Sequence, residues 1–92
     1  MAVICASPIA LLAAQVGKGK KITSYPMFKE KLGQFYKYDD EKAVVVDGHF
    51  ITSRGPATAM AFALEVIEHL TGKDVRRQVE HDVLLNKYPL GY

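Results

Sequence analysis

The chain has a single cysteine, so no internal disulfide can staple it, which agrees with a reducing compartment. It has little excess charge. Twelve Lys and Arg against ten Asp and Glu leave a formal net charge of +2, too mild to argue for a nucleic-acid partner. It has no long apolar run. Met1 to Val16 lacks a basic n-region, is broken by Pro8, and is too short to cross a membrane as a helix. It has no phosphate loop, because Gly17-Lys18-Gly19-Lys20 follows a helical stretch and precedes a strand, the reverse of the phosphate-binding order. His49, His69 and His81 are scattered, and no pair has metal-ligand spacing. The expectation is a soluble cytoplasmic protein with no nucleic-acid partner, no membrane partner, no metal and no cofactor.

What is there is ordinary for a globular chain. Ninety-two residues make one domain at most, and 49% of them are hydrophobic and 24% charged. A domain this small buries only ~60% of its unfolded surface. Lys18, Lys20 and Lys21 in a turn, and Arg76 and Arg77 on a helix, read as solvated surface. Asp39-Asp40-Glu41 reads as a hydrated turn.

The pattern along the chain indicates an α/β layered sheet in the order β-α-β-α-β-β-α-α. Ala2-Val3-Ile4 is an apolar strand. Ser7 is a good N-cap and Pro8 fits the first position of a helix over Ile9–Val16, stopped at Gly17. Lys21–Ser24 is a short strand, Pro26 opens a helix over Met27–Leu32, and Phe35–Tyr38 forms a short extended segment. Lys42–Val46 and His49–Ser53 flank Asp47-Gly48, a two-residue hairpin signal. Arg54-Gly55-Pro56 turns into the best helix, Ala57–Leu70, whose stripe Ala59, Phe62, Ala63, Val66, Ile67 and Leu70 should face the sheet. Gly72 ends it, and a last helix runs from Asp74 to about Leu85.

Cys5 is the residue that can carry chemistry. It sits between a strand and a helix, where unpaired N–H groups and the helix dipole favour a thiolate. The nucleophilic serine of other hydrolases occupies the same strand–nucleophile–helix layout. A free cysteine is also among the most buried residue types and often only fills space. For Ser53-Arg54-Gly55-Pro56 the plain alternative is a loop whose arginine pairs with a surface carboxylate.

Several segments together resemble the ThiJ/PfpI superfamily, and within it the Parkinson-disease protein deglycases. They are Ile4-Cys5-Ala6-Ser7-Pro8-Ile9-Ala10-Leu11-Leu12, Lys21-Ile22-Thr23-Ser24-Tyr25-Pro26, Val46-Asp47-Gly48, and Ile51-Thr52-Ser53-Arg54-Gly55-Pro56. The resemblance runs from Met1 to about Leu85. It implies a three-layer, flavodoxin-like α/β sandwich, of which residues 1–92 are the C-terminal half, ending in a β-hairpin and two helices. The implied activity is cysteine-dependent conversion of reactive aldehydes such as methylglyoxal to hydroxy acids without glutathione, together with repair of glycated protein. Cys5 would be the nucleophile and the N–H of Ala6 would hold the oxyanion. Tyr25, Arg54 and Pro56 would line the pocket, near a homodimer contact.

Three departures from the family pattern bear on that reading. The acidic residue that hydrogen-bonds the family's cysteine belongs to the half this chain does not contain. Tyr25 stands where many members have histidine, and a phenol is a poor base at neutral pH. Ala57 stands where a glycine is common. The alternative functions are a redox sensor or chaperone in which Cys5 oxidises to sulfinate, or a truncated product without activity of its own. In either case the first strand keeps an uncovered side, so self-association is expected.

Overall fold

A computed structural model describes all 92 residues, Met1–Tyr92. The elements are β1 (Ala2–Ile4), α1 (Pro8–Ala13), β2 (Lys21–Ile22), α2 (Lys29–Gly33), β3 (Lys37–Tyr38), β4 (Val44–Asp47), β5 (Phe50–Ser53), α3 (Ala59–Thr71) and α4 (Lys73–Asp82). The expected order holds, and β3 falls within the extended segment expected at Phe35–Tyr38. Single 3-10 turns, Pro26–Phe28 and Pro56–Thr58, lead into α2 and α3. No helix is long and apolar enough to cross a membrane.

One sheet has the order β1-β5-β4, with β1 parallel and β4 antiparallel to β5. Asp47 pairs with Phe50, so the two turn residues are Gly48 and His49, one position later than the sequence suggested. Gly48 at φ 59 supplies the positive dihedral that a tight hairpin needs at its first central residue. β2 and β3 form a separate parallel pair. β2 and the residue after it reach the larger sheet through side chains. Lys21 N–H donates to Asp47 Oδ2 at 2.8 Å, and Thr23 N–H to Thr52 Oγ1 at 2.9 Å.

β1 lies at an open edge. In a parallel ladder, alternate residues of a strand turn their N–H and C=O to the same neighbour. Ile51 N–H donates to Met1 O at 2.8 Å and Cys5 N–H to Ser53 O at 3.1 Å. Ala2 and Ile4 therefore face away from β5, where Ser7 N–H caps Ile4 O at 3.1 Å and no strand follows. This is the uncovered side that the sequence implied.

The main core is Leu11, Ile22, Leu32 and Tyr36, with Val3, Ile9, Leu12, Phe28, Phe35, Tyr38 and Phe50 packed around it. Tyr36 is buried and donates to Val16 O at 2.6 Å, so its phenol is satisfied. Gly17, at φ 74, follows α1 and lies under the Phe50 ring. A Cβ there would fall 2.5 Å from Phe50 Cζ, so only glycine fits.

Four local expectations need correction. α1 stops at Ala13 rather than Val16, because Ala14 and Gln15 leave the helix and Gln15 turns to φ 55. Ser7 has helical dihedrals, φ −58 and ψ −31, rather than the extended ones of an N-cap, and makes no side-chain cap. The run Val44-Val45-Val46, whose composition suits a buried strand, has only Val45 buried, as the two-residue period of an edge strand dictates. The stripe on α3 is covered only in part. Leu64 is the buried residue of that helix, Phe62, Val66 and Ile67 are half-buried, and Ala59, Ala63 and Leu70 are exposed.

Candidate functional site

Cys5 follows directly on β1, before α1 begins. Its backbone sits at φ 64, in the left-handed region that a non-glycine residue adopts at a steric cost of about 1–2 kcal/mol. That cost persists because both ends of the residue are held. Cys5 N–H donates to Ser53 O at 3.1 Å, and Tyr25 N–H donates to Cys5 O at 2.8 Å. The thiol is half-buried. Ala6 is exposed, and its N–H donates to no protein group. The helix dipole contributes little here, because α1 is only six residues long. The bend at Cys5, with a free amide beside it, is the better-founded feature. It matches the strained strand-to-helix turn that presents nucleophilic serines.

Tyr25, Arg54 and Pro56 lie close together. With Pro26, Gly55, Ala57 and Thr58 they line a cavity of ≈ 290 Å³. Cys5 and Ala6 do not line it. A larger open hollow of ≈ 630 Å³, lined by Lys42, Arg54, Thr58, Arg76, Leu90 and Tyr92 among others, also lacks both. The larger volume therefore does not mark the chemistry. Tyr25 is 44% exposed and is tied to the elbow through its backbone.

Arg54 is neither a free pocket cation nor paired with a surface carboxylate. Its Nε donates to Ser24 O at 3.0 Å, one terminal nitrogen to Asp40 O at 2.7 Å and the other to Tyr38 Oη at 3.4 Å. The planar fork of arginine suits this three-way bonding. Ser24 Oγ lies 2.9 Å from the same phenol. The guanidinium thus fastens the segment before Tyr25, and Tyr25 in turn fastens Cys5.

Sequence reasoning missed Ser24, Tyr38, Asp40 and Thr58. The available signal was the serine and threonine at strand ends and at a loop–helix junction, where hydroxyls bond to nearby backbone. Their partners are distant in sequence and carry no spacing rule. No group of three His, Cys, Asp or Glu is close enough to hold a metal ion.

The charges nearby are local. Asp39 accepts from the N–H groups of Glu41 and Lys42, and these bonds hold its carboxyl below the usual carboxylate range. Asp40 is held low by its hydrogen bond and charge attraction to Lys29, whose own pKa is raised by the same contact. Both lie at the surface.

Residues 1–69 match the DJ-1/PfpI family. The chain belongs to that family. It is 47% identical over 89 residues to protein DJ-1alpha of Drosophila melanogaster, covering 97% of this chain and 41% of that protein. The crystal structure of Drosophila melanogaster DJ-1beta superposes with a TM-score of 0.88 at 48% identity, over 90% of this chain and 45% of that one. The glutathione-independent glyoxalase DJR-1.2 of Caenorhabditis elegans is 40% identical over 72 residues, covering 77% of this chain and 38% of that protein. The chain thus spans less than half the length of the relatives it matches. It is a partial DJ-1/PfpI domain of mixed α/β structure.

Proposed function

We propose that this chain is the C-terminal half of a DJ-1/PfpI domain and supplies the cysteine of a glutathione-independent glyoxalase acting on small aldehydes such as methylglyoxal. The observation that carries the reading is the Cys5 elbow: a cysteine held at φ 64 from both sides, followed by an unpaired amide at Ala6. The glyoxalase named among the relatives supports the substrate class.

The reaction is redox-neutral overall. The Cys5 thiolate adds to the aldehyde carbon, forming a C–S bond and pushing the carbonyl electrons onto oxygen. The Ala6 N–H donates to that oxyanion. A proton moves from the former aldehyde carbon to the neighbouring carbon, turning the hemithioacetal into a thioester of a hydroxy acid. Water then cleaves the C–S bond and returns the thiol. The proton shuttle needs an acid–base group worth ~10²–10⁴-fold. It comes from the other half of the domain, and Tyr25 is a weak substitute. The same thiol would act on glycated protein, and the completed domain would form a homodimer.

The test is methylglyoxal consumption by this chain alone, by this chain mixed with a separately made N-terminal half of a relative, and by the Cys5→Ser mixture. We expect self-association and little turnover alone, and solubility and turnover together in the mixture. Cys5→Ser should abolish the turnover. Turnover that survives in Cys5→Ser contradicts the reading. A soluble mixture that is oxidised at Cys5 by peroxide but turns over no aldehyde would instead favour the redox-sensor function.

A further inference from the structure

We propose that Thr58 is a positioning residue for the Cys5 thiol, acting through the Ser53–Pro56 loop and the Arg54 guanidinium. The proposal rests on the reading of Cys5 as the reactive thiol. Thr58 stands at the start of α3, yet its hydroxyl does not cap that helix and instead caps the preceding 3-10 turn from Gly55. It turns back on the loop. Thr58 Oγ1 accepts from Arg54 N–H at 3.2 Å and Gly55 N–H at 3.1 Å, and donates to Gly55 O at 3.0 Å. Ser53 Oγ donates to Ala43 O at 2.6 Å and lies 2.6 Å from Thr58 Oγ1. One hydroxyl thus serves both backbone amides of Arg54 and Gly55 and the side chain of Ser53.

From that loop two arms reach Cys5. The first is direct, since Ser53 O accepts the Cys5 N–H at 3.1 Å. The second is relayed. Arg54 Nε donates to Ser24 O at 3.0 Å, and the next amide, Tyr25 N–H, donates to Cys5 O at 2.8 Å. Both peptide groups of the strained residue are therefore held by segments that Thr58 organises. Loosening the loop lets Cys5 relax from φ 64 and lose its fixed presentation. Arg54 belongs to the same clamp, and its fork is occupied by protein acceptors.

The test compares Thr58→Val, which keeps the shape and removes the hydroxyl, with Thr58→Ser, which keeps the hydroxyl. The readouts are the iodoacetamide alkylation rate of Cys5 from neutral to alkaline pH and hydrogen exchange at the Tyr25 amide. Circular dichroism and the melting curve report the fold. Losing the bonds of one hydroxyl should slow Cys5 alkylation by about tenfold in Thr58→Val and speed Tyr25 exchange, and Thr58→Ser should return both to wild type. A folded Thr58→Val with the wild-type rate overturns the proposal, as does a folded Thr58→Ser that fails to restore it. If Thr58→Val does not fold, Arg54→Lys decides. One ammonium cannot span Ser24 O, Asp40 O and Tyr38 Oη, so alkylation should slow, and an unchanged rate overturns the relay. Alkylation needs no aldehyde chemistry. Absent methylglyoxal turnover would sink the glyoxalase reading and leave this result standing.

Discussion

Residues 1–53 and residues 54–92 are built on different terms. Eleven of the twelve buried residues lie in the first region, and Leu64 is the other. The first region closes a small core around Ile22 and Leu32, both at 0% exposure. The second is a helical hairpin whose apolar side chains are largely uncovered. Met60, Leu70, Val75, Val83 and Leu84 are all exposed. Polar ties hold it instead. Arg76 on α4 reaches Glu65 at 3.0 Å and Glu68 at 3.3 Å on α3, and Glu80 at 2.8 Å on its own helix. Burial works against that guanidinium, but its bonds to Glu65 and Glu80 outweigh the cost and raise its pKa.

The whole molecule shows the consequence. A compact chain of this mass exposes about 5,300 Å² and one of this length has a radius of gyration of about 12 Å. This chain exposes 5935 Å², with a radius of gyration of 13.6 Å. The chain is thus more open than a compact domain of its size. The difference teaches that the cysteine elbow lies in the region that holds most of the buried core, although Arg54 and Thr58 of the second region help to clamp it, whereas the helices keep many of their apolar side chains exposed.

Substitutions can break this contrast. Ile22→Ala should cost ~2–5 kcal/mol, comparable to the entire stability of so small a domain, and urea denaturation should show no folded baseline. A cooperative transition near the wild-type midpoint would move the core elsewhere. Arg76→Ala leaves three partly shielded carboxylates facing one another and should cost about 1–2 kcal/mol after allowance for screening. The loss should appear as faster amide exchange in α3 and α4 with the first region unchanged. Phe62→Ala, on the half-buried side, should cost roughly 1 kcal/mol or less, because full burial is what makes such a truncation expensive. A melting curve displaced as far as that of Ile22→Ala would erase the distinction between the regions.

Acid should have the smallest effect. The carboxyls of Asp39 and Asp40 are lowered in the fold from 3.8. Their stabilisation is complete above that unfolded value and is lost as pH falls through the lowered folded values. Asp39→Asn should remove part of this acid loss, and added salt should weaken the Lys29–Asp40 share. An acid transition identical in wild type and Asp39→Asn would remove Asp39 from the account.

Much of the first region was legible in the sequence, because its signals are local. The hairpin announced itself at Asp47-Gly48, the helix start at Pro8, and the elbow at Cys5 between an apolar strand and a helix. Which face of α3 is buried was not legible. Periodicity locates an apolar stripe but cannot say whether its partner is in the same chain. Along the stripe Phe62 and Val66 are half-covered and Leu70 is exposed. The clamp of Ser24, Tyr38, Arg54 and Thr58 was equally hidden. Its bonds join residues up to thirty positions apart, as from Arg54 to Ser24.

The most direct test of the central claim, that this chain alone builds the Cys5 elbow, is the alkylation rate of Cys5 in the folded chain against the urea-unfolded chain at one pH. Mass spectrometry of the modified peptide follows it without any enzymatic assay. The account predicts faster reaction in the folded chain, because the thiol is held at a bend stabilised from both sides. Equal rates would contradict it, and would show that this chain alone does not hold Cys5 in a reactive bend.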